Sequence, residues 1–420
     1  MSFLQKAKEL DSNDPLDSFK KEFTLPANTI YLDGNSLGPL PVKTAENLKK
    51  TIDFEWGNRL IRGWNDGWLE SQKRTSDKIA KLIGARPGEV WITDSVSVNL
   101  YKLAYACLQQ SKKKEVITDT LNFPGDIYIL QQLIQTSFPS KSLKKVQIAE
   151  LAKADQQIEK HLNEDIALLS LSHVTYQSAF QYDMESINAQ ASACEIPVIW
   201  DFSHSVGAVP IDVKKSGVQL AVGCTYKYLN GGPGAPAFLY VSEEMQSSLQ
   251  NPIGGWFSHD RPFDFAVDFK ENKGIQKFAV GTPPVISLKG IEEGVDIHLQ
   301  AGSVEIKRKS DRMFDFFETL FETYLRPLGF GMLTPIDSAQ RGSHLALTHE
   351  EAYRINLSLI HPRTYPKTII TDHRPPDIIR IALTPLYLGF EELYETAKRL
   401  ESIVISKEYT EHSPVKTGVI

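Results

Sequence analysis

Apolar positions along this chain change rhythm several times. Between residues 90 and 241, short runs that are apolar at nearly every position recur at Val90–Thr93, Glu115–Thr118, Val146–Ala149, Ile166–Ser172, Val198–Trp200 and Leu220–Cys224. Stretches with one apolar helical face separate most of them, as at Val98–Leu108 and Asp126–Gln135. Runs that are apolar without alternation suit strands covered on both faces, and their interleaving with helices predicts a mainly parallel sheet in an α/β domain. Ala235–Val241 is one more strand, suited to an edge. Upstream, Asp14 and Pro15 have the character of a helix cap and first turn. Leu48, Ile52 and Trp56 recur at four-residue spacing, as one buried helical stripe would. Between them, the segment YLDGNSLGPLP at Tyr31–Pro41 reads as a loop.

Past Thr282-Pro-Pro284 the texture changes. A long helical stretch from Ser287 to about Tyr324 precedes strand-like Ser343–Leu347 and Ile378–Leu383, which predicts a second, smaller α+β lobe. The organisation expected is an N-terminal segment over 1–45 packing with that small domain, a large α/β domain over 46–284, and the small domain itself over 285–420. Glu408–Ile420 is polar and is expected as a loose tail, and Lys112–Lys114 as a solvated turn.

Composition narrows the classes. The chain has 420 residues, 41% of them hydrophobic, an ordinary globular balance. It carries 46 basic and 52 acidic residues for a net charge of −6, and no clustered Lys and Arg to displace counterions, so no nucleic-acid partner is expected. Three cysteines cannot build a disulfide framework. No apolar run approaches the ~20 residues a spanning helix needs, and the charged first residues lack the apolar core of a signal peptide. A cytoplasmic enzyme or binding protein with no membrane partner is the expectation.

Ligands of open α/β sheets bind beyond the carboxyl ends of the strands. One such end carries Asp201 and His204, and the next runs into Lys227 and a glycine-rich turn. Burying an ammonium group is costly. Either Lys227 pairs with Asp201 as a plain ion pair, or the amine is used covalently, as an imine with a carbonyl cofactor. Pyridoxal phosphate needs such a lysine and a carboxylate on its ring nitrogen. From these two residues alone the readings weigh about equally. Ser97 and nearby amides in Asp94–Asn99, between a strand and a helix, suit a phosphate. Phe123 and Asp126 in Asn122-Phe-Pro-Gly-Asp126 offer a flat surface and a second carboxylate. Neither a GxGxxG nor a P-loop is present, and His173, His204 and His259 lack metal-ligand spacing.

Taken together, YLDGNSLGPLP, DSVSVN, NFPGD, WDFSHSVG, CTYKYLNGGPG, GGWFSHD, GTPP and IRIALTPLY resemble the kynureninase family over Tyr31 to about Tyr387. These are pyridoxal-phosphate-dependent hydrolases of fold type I in the aminotransferase class V group. The resemblance implies hydrolytic Cβ–Cγ cleavage of L-kynurenine to anthranilate and L-alanine, in tryptophan degradation, by a homodimer with shared sites. It implies Lys227 as the residue that bonds the cofactor and moves the Cα proton, and Tyr226 as a further proton donor or acceptor. Asp201 would bind the pyridine nitrogen with Asp126 close by, His204 would lie near the ring, and Phe123 would stack on it. Val96, Ser97, Tyr226 and the partner subunit's Trp256 and Thr282 would hold phosphate, and Ser172 is a further cofactor contact. Ser36, Trp64 and Arg380 fall at substrate positions, Arg380 as the α-carboxylate clamp. Gly125 stands where a small hydroxyl residue is usual, and Thr282 where many members carry Asn. Trp64 with Gly281 and Thr282 resembles the bacterial pattern, associated with kynurenine over its 3-hydroxy form. Another class V enzyme, an aminotransferase or a cysteine desulfurase, is the enzymatic alternative. A catalytically silent binding relative is the non-enzymatic one, although such relatives usually lose the lysine or the ring carboxylate.

Overall fold

The computed structural model describes residues 1–415. Its central sheet has seven strands: β1 (Val90–Ile92), β2 (Glu115–Asp119), β3 (Ser142–Val146), β4 (Ile166–Ser172), β5 (Val198–Asp201), β6 (Leu220–Gly223) and β7 (Phe238–Val241). Their order is β1-β7-β6-β5-β4-β2-β3, and β7 alone runs against the rest. Every residue of β4 to β7 is buried, because helices cover both faces of the sheet. Two apolar clusters result, one on each side, around Trp200 and Phe238 and around Leu103 and Leu168.

The Phe238–Val241 strand is internal rather than an edge: β7 bonds to β6 on one side and to β1 on the other. Its four buried residues need neighbours that an edge could not supply. The edges are instead β1 and β3, and β3 begins four residues before the expected Val146–Ala149 run. Its sequence, SLKKV, is polar because most of these side chains reach solvent.

The first helix is α1 (Phe3–Ser12), closed by reciprocal bonds between Ser2 and Gln5. Asp14 and Pro15 therefore follow a helix and lead only into a 3₁₀ turn at Asp17–Glu22. Helix α2 (Val42–Lys50) widens into a π-helical turn over Thr51–Trp56, and the expected buried stripe is solvent-facing, with Ile52 45% and Trp56 56% exposed. Helices α3 (Val96–Gln110) and α4 (Pro124–Ser137) follow β1 and β2. The expected continuous helix from Ser287 breaks at Gly290 and at Gly302, whose φ of +79° lies in the left-handed region. The pieces are Val285–Lys289, α5 (Ile291–Ala301) and α6 (Ser303–Leu320).

The C-terminal lobe holds an antiparallel sheet of β8 (Gly331–Met332), β9 (His344–Thr348), β10 (Asp372–Arg374) and β11 (Ile378–Ala382), in the order β8-β9-β11-β10. Phe314, Phe317, Leu345 and Ile381 pack there against Leu393 and Leu400 of α7 (Phe390–Ser406). The N-terminal strap joins this lobe: Thr29–Tyr31 pairs in parallel with Thr368–Ile370, and Leu32 then bonds to Ile370 and Ala382. Glu408–Glu411 is not loose, since Glu408 pairs with Arg399 and the turn is 3₁₀-helical; residues 416–420 lie outside the described chain. Nor is Lys113 simply solvated, for its ammonium group donates to the carbonyls of Cys194 and Glu195 at 2.6 and 3.0 Å.

Candidate active site

The carboxyl ends of β5 and β6 and the starts of α3 and α4 meet around a cavity of about 170 Å³. Its walls include Val96, Ser97, Phe123, Asp126, Asp201, His204, Tyr226 and Lys227. Asp201 ends β5, and its Oδ1 accepts from the Ser203 amide at 2.9 Å and the Ser203 hydroxyl at 2.5 Å. Lys227 lies on the return between β6 and β7, and its Nζ is 3.0 Å from His204 Nε2. Burial, then the neighbouring Lys227, depresses the His204 imidazole well below its ordinary range, so it is neutral and accepts the lysine's hydrogen. Burial raises the Asp201 carboxyl, with Lys227 and Ser203 opposing. Asp126 is raised well above the ordinary range by burial and by the Asp201 charge, with Lys227 opposing. Two carboxylates that repel each other in a dry pocket are primed for a cationic partner.

The other walls serve different ends of a flat ligand. Ser95 caps α3 by accepting from Val98, so the N–H groups of Val96 and Ser97 lie in the first turn, where no intrahelical acceptor exists. Phe123 is 46% exposed, with Lys227 Nζ 5.9 Å from its ring centroid and Tyr176 edge-on at 5.4 Å. At Gly125 a Cβ would stand 3.1 Å from the half-exposed Phe123 ring, so a larger residue there would ask that ring to shift by a few tenths of an ångström. Burial raises the Tyr226 phenol, so that residue holds its proton.

Five residues singled out from sequence lie elsewhere. Ser172 is buried outside the cavity wall, donating its hydroxyl to Asn122 at 2.7 Å. Trp256 donates its indole N–H to the Pro262 carbonyl at 2.5 Å and packs with Phe257, Phe263 and Phe265. Trp64 packs against Trp68 and Phe257. Thr282 and Gly281 line an adjoining cavity of about 590 Å³ that shares Ser95, Tyr226 and Ala235 with the first.

Arg380, on β11, is buried with its guanidinium in a polar cluster. Its Nε donates to Asp372 Oδ1 at 2.7 Å and its Nη2 donates to Asp372 Oδ2. Ser36 accepts from Nη2 at 2.9 Å and donates to Asp372 at 2.8 Å. Sequence reasoning missed Asp372, Arg374 and Asp33 of this cluster. The link needs the strand pairing: its register sets Asp372 opposite Arg380, and a strand's two-residue period puts Arg374 on the same face.

Two buried atoms test the fit of a cofactor. Asp126 Oδ2 and His204 Nδ1 have no hydrogen-bond partner within the described chain. A ring with a protonated nitrogen at one end, a carbonyl reaching the lysine and a phosphate at the other would meet Asp126 and Asp201, Lys227, and the α3 N-terminus in turn. The residues present fit pyridoxal phosphate.

Comparisons with known proteins agree. The aminotransferase class-V family model matches residues 31–328, and the kynureninase C-terminal domain model matches 306–400. Kynureninase of Pseudomonas fluorescens is 36% identical over 408 residues, 96% of this chain and 95% of that one. Kynureninase of Burkholderia pseudomallei strain 1106a is 37% identical over 411 residues, 96% of each. Among solved structures, a cysteine desulfurase from Thermococcus onnurineus NA1 superposes with a TM-score of 0.78 at 17% identity, covering 94% of this chain and 99% of that one. The cystine C–S lyase C-DES, in complex with cysteine persulfide, gives 0.77 at 18%, covering 89% and 98%. At such identities these two speak for the fold alone. The fold and the site are those of a pyridoxal-phosphate-dependent enzyme of the aminotransferase class V group. Within that group the chain belongs to the kynureninase family, with kynureninase activity in tryptophan catabolism.

Proposed function

We propose that this chain cleaves the Cβ–Cγ bond of L-kynurenine by water, releasing anthranilate and L-alanine, with Lys227 as the residue that bonds the cofactor and carries the Cα proton. The observation that supports this most is the 3.0 Å contact of Lys227 Nζ with a neutral His204, beside Asp126 and Asp201. Pyridoxal phosphate, when bound, supplies the electron sink that stabilises negative charge at Cα. Asp201 holds the proton of the ring nitrogen, Asp126 reinforces that charge, and Phe123 fixes the plane. Val96, Ser97 and Tyr226 hold phosphate. Lys227 removes the Cα proton, and His204 accepts a hydrogen bond from that amine between steps. Tyr226, whose phenol burial keeps protonated, is the donor in the late proton transfers. Arg380 and Ser36 receive the α-carboxylate.

A homodimer completes the site in this reading. Trp64 and Trp256 lie away from the Lys227 cavity of their own chain, Thr282 lines only the cavity that adjoins it, and a partner copy would receive them. Exposed Phe54, Trp56, Leu60 and Ile61 on one segment, and Phe263, Phe265 and Val267 on another, support such an interface. The proposed organisation is a cofactor domain over 46–284, a small domain over 285–420, and the 1–45 segment packed on the latter. A cytoplasmic setting belongs to the same proposal; no helix among the described residues is long and apolar enough to cross a membrane. A desulfurase would need a mobile cysteine, whereas Cys107 and Cys224 are buried and Cys194 is half-buried.

The test is Lys227→Ala. It should abolish the visible absorption of the bound cofactor and nearly all release of anthranilate from L-kynurenine. Retention of both would overturn the proposal. Parallel assay of 3-hydroxy-L-kynurenine checks the expected preference for the unsubstituted substrate, read from Trp64, Gly281 and Thr282.

A further inference from the structure

Arg380 by itself is short of free donors for a clamp. A guanidinium has five N–H groups. Four are engaged: Nε and Nη2 with Asp372, Nη2 again with Ser36, and Nη1 with the Tyr176 carbonyl at 2.7 Å. One remains, on Nη1, whereas gripping both oxygens of a carboxylate takes at least two N–H groups.

Arg374 supplies what is missing. It stands two residues beyond Asp372 on β10, so both side chains share the face that Arg380 meets across the ladder. Its Nη2 lies 2.8 Å from Asp372 Oδ2 and 3.4 Å from Ser36 Oγ, while Nε and Nη1 make no bond to the described chain. It is 28% exposed against 1% for Arg380, which sets it at the rim. The charges of both arginines reach His204 and Tyr176: they add to the burial that depresses the His204 imidazole, and they oppose the burial that raises the Tyr176 phenol. Tyr176 in turn packs on Phe123, a wall of the Lys227 cavity, so the charge of Arg374 acts beside that cavity.

We propose that Arg374 is the second guanidinium of the α-carboxylate subsite, binding one oxygen while the remaining N–H of Arg380 binds the other, with Asp372 holding both arginines in place. This rests on the reading that Arg380 marks that subsite. While Asp33, whose carboxyl burial raises to about 7, holds its proton, two guanidinium groups and one Asp372 carboxylate leave one positive charge, which a single substrate carboxylate neutralises.

The experiment compares holoenzymes carrying Arg374→Gln, Arg374→Lys and Arg380→Gln. It measures kcat and KM for L-kynurenine, and inhibition by the corresponding amine without the α-carboxylate. Arg374→Gln should raise KM about 10- to 100-fold, the range for a hydrogen bond to a charged group. It should change kcat less than about threefold, leave the cofactor's visible absorption intact, and leave inhibition by the amine unchanged. Arg374→Lys should recover part of the loss, since it restores charge without the fork. An unchanged KM in Arg374→Gln overturns the proposal, and so does equal weakening of the amine, which would mark a structural role. Arg380→Gln separates the two ideas. If it raises KM while Arg374→Gln does not, the subsite stands and the role of Arg374 falls. If Arg380→Gln folds, keeps the cofactor and leaves KM unchanged, the subsite itself is misplaced.

Discussion

Lys309, on α6, offers a stability test remote from the cofactor. Its Nζ lies 2.6 Å from Asp14 Oδ2 and donates to the Pro385 carbonyl at 2.5 Å. The side chains are 4% and 3% exposed, so water screens neither charge. Burial pushes the amine's pKa down, with Asp14 opposing. Asp14→Asn keeps the shape and removes the compensating charge, and breaking a buried pair from one side costs about 3–5 kcal/mol. The Pro385 carbonyl still accepts, which places the loss near 3 kcal/mol. Lys309→Met should lose a similar amount, because Asp14 is then the buried orphan. Removing both charges, in Asp14→Leu with Lys309→Met, should return to within about 1–2 kcal/mol of the parent, since such a pair roughly breaks even with apolar packing. Urea unfolding of the holoenzyme is the assay, followed by circular dichroism and by tryptophan fluorescence. All six tryptophans, Trp56 to Trp256, lie before the C-terminal lobe, so the fluorescence transition should move less. The reasoning fails if Asp14→Asn stays within 1 kcal/mol of the parent, or if the double variant is worse than either single one.

Three further outcomes are expected. A Cβ at Gly38 would stand 2.2 Å from Asn230 Oδ1 and 2.3 Å from the Lys227 carbonyl oxygen, so Gly38→Ala should cost at least about 1–3 kcal/mol and displace the lysine, read as a lower melting temperature and weaker cofactor absorption. Asp33 faces Asp372, Arg374, Arg380, Ser36 and Tyr31, and burial followed by the Asp372 charge raises its carboxyl to about 7. The folded chain therefore holds a proton that the unfolded chain releases from about pH 4, and stability is lost as pH rises towards 7. Asp33→Asn removes that loss: its advantage in urea midpoint should grow from pH 5 to pH 8, reaching about 2–4 kcal/mol, and an advantage independent of pH would contradict this. Finally, burial pushes the Cys107 thiol up to about 12 and raises Cys224, so a colorimetric thiol reagent should titrate Cys194 alone in the native protein and all three after denaturation.

How much of this was legible in the sequence depended on what each residue faces. Ile166–Ser172 could be delimited because both faces of β4 are covered and every residue is apolar or small. The SLKKV edge was invisible for the opposite reason: exposure leaves no apolar pattern to detect. The Ile52 and Trp56 stripe was a real apolar face, but among the described residues both side chains stay half-exposed, and periodicity alone cannot say what covers the rest. Asp201, His204, Lys227, Phe123 and Asp126 were readable because strand ends of an α/β sheet converge on one place. Ser172 sits at such an end too, yet its hydroxyl turns to Asn122, a choice of rotamer that sequence does not record. Asp372 and Arg374 needed the β10–β11 pairing before their shared face with Arg380 could be seen.

The reversed direction of β7 bears on the fate of the lysine. A parallel neighbour would have required a crossover, whereas the antiparallel return from β6 lets residues 224–237 turn straight back into the same sheet. That return is pinned from within, by Gly231 bonding to the Thr225 carbonyl and by Thr225 Oγ1 bonding to the Pro236 carbonyl at 2.7 Å. In the proposed reaction Lys227 would thus be a base on a tether a few residues long, held at the high effective molarity of a tethered group and placed to move a proton.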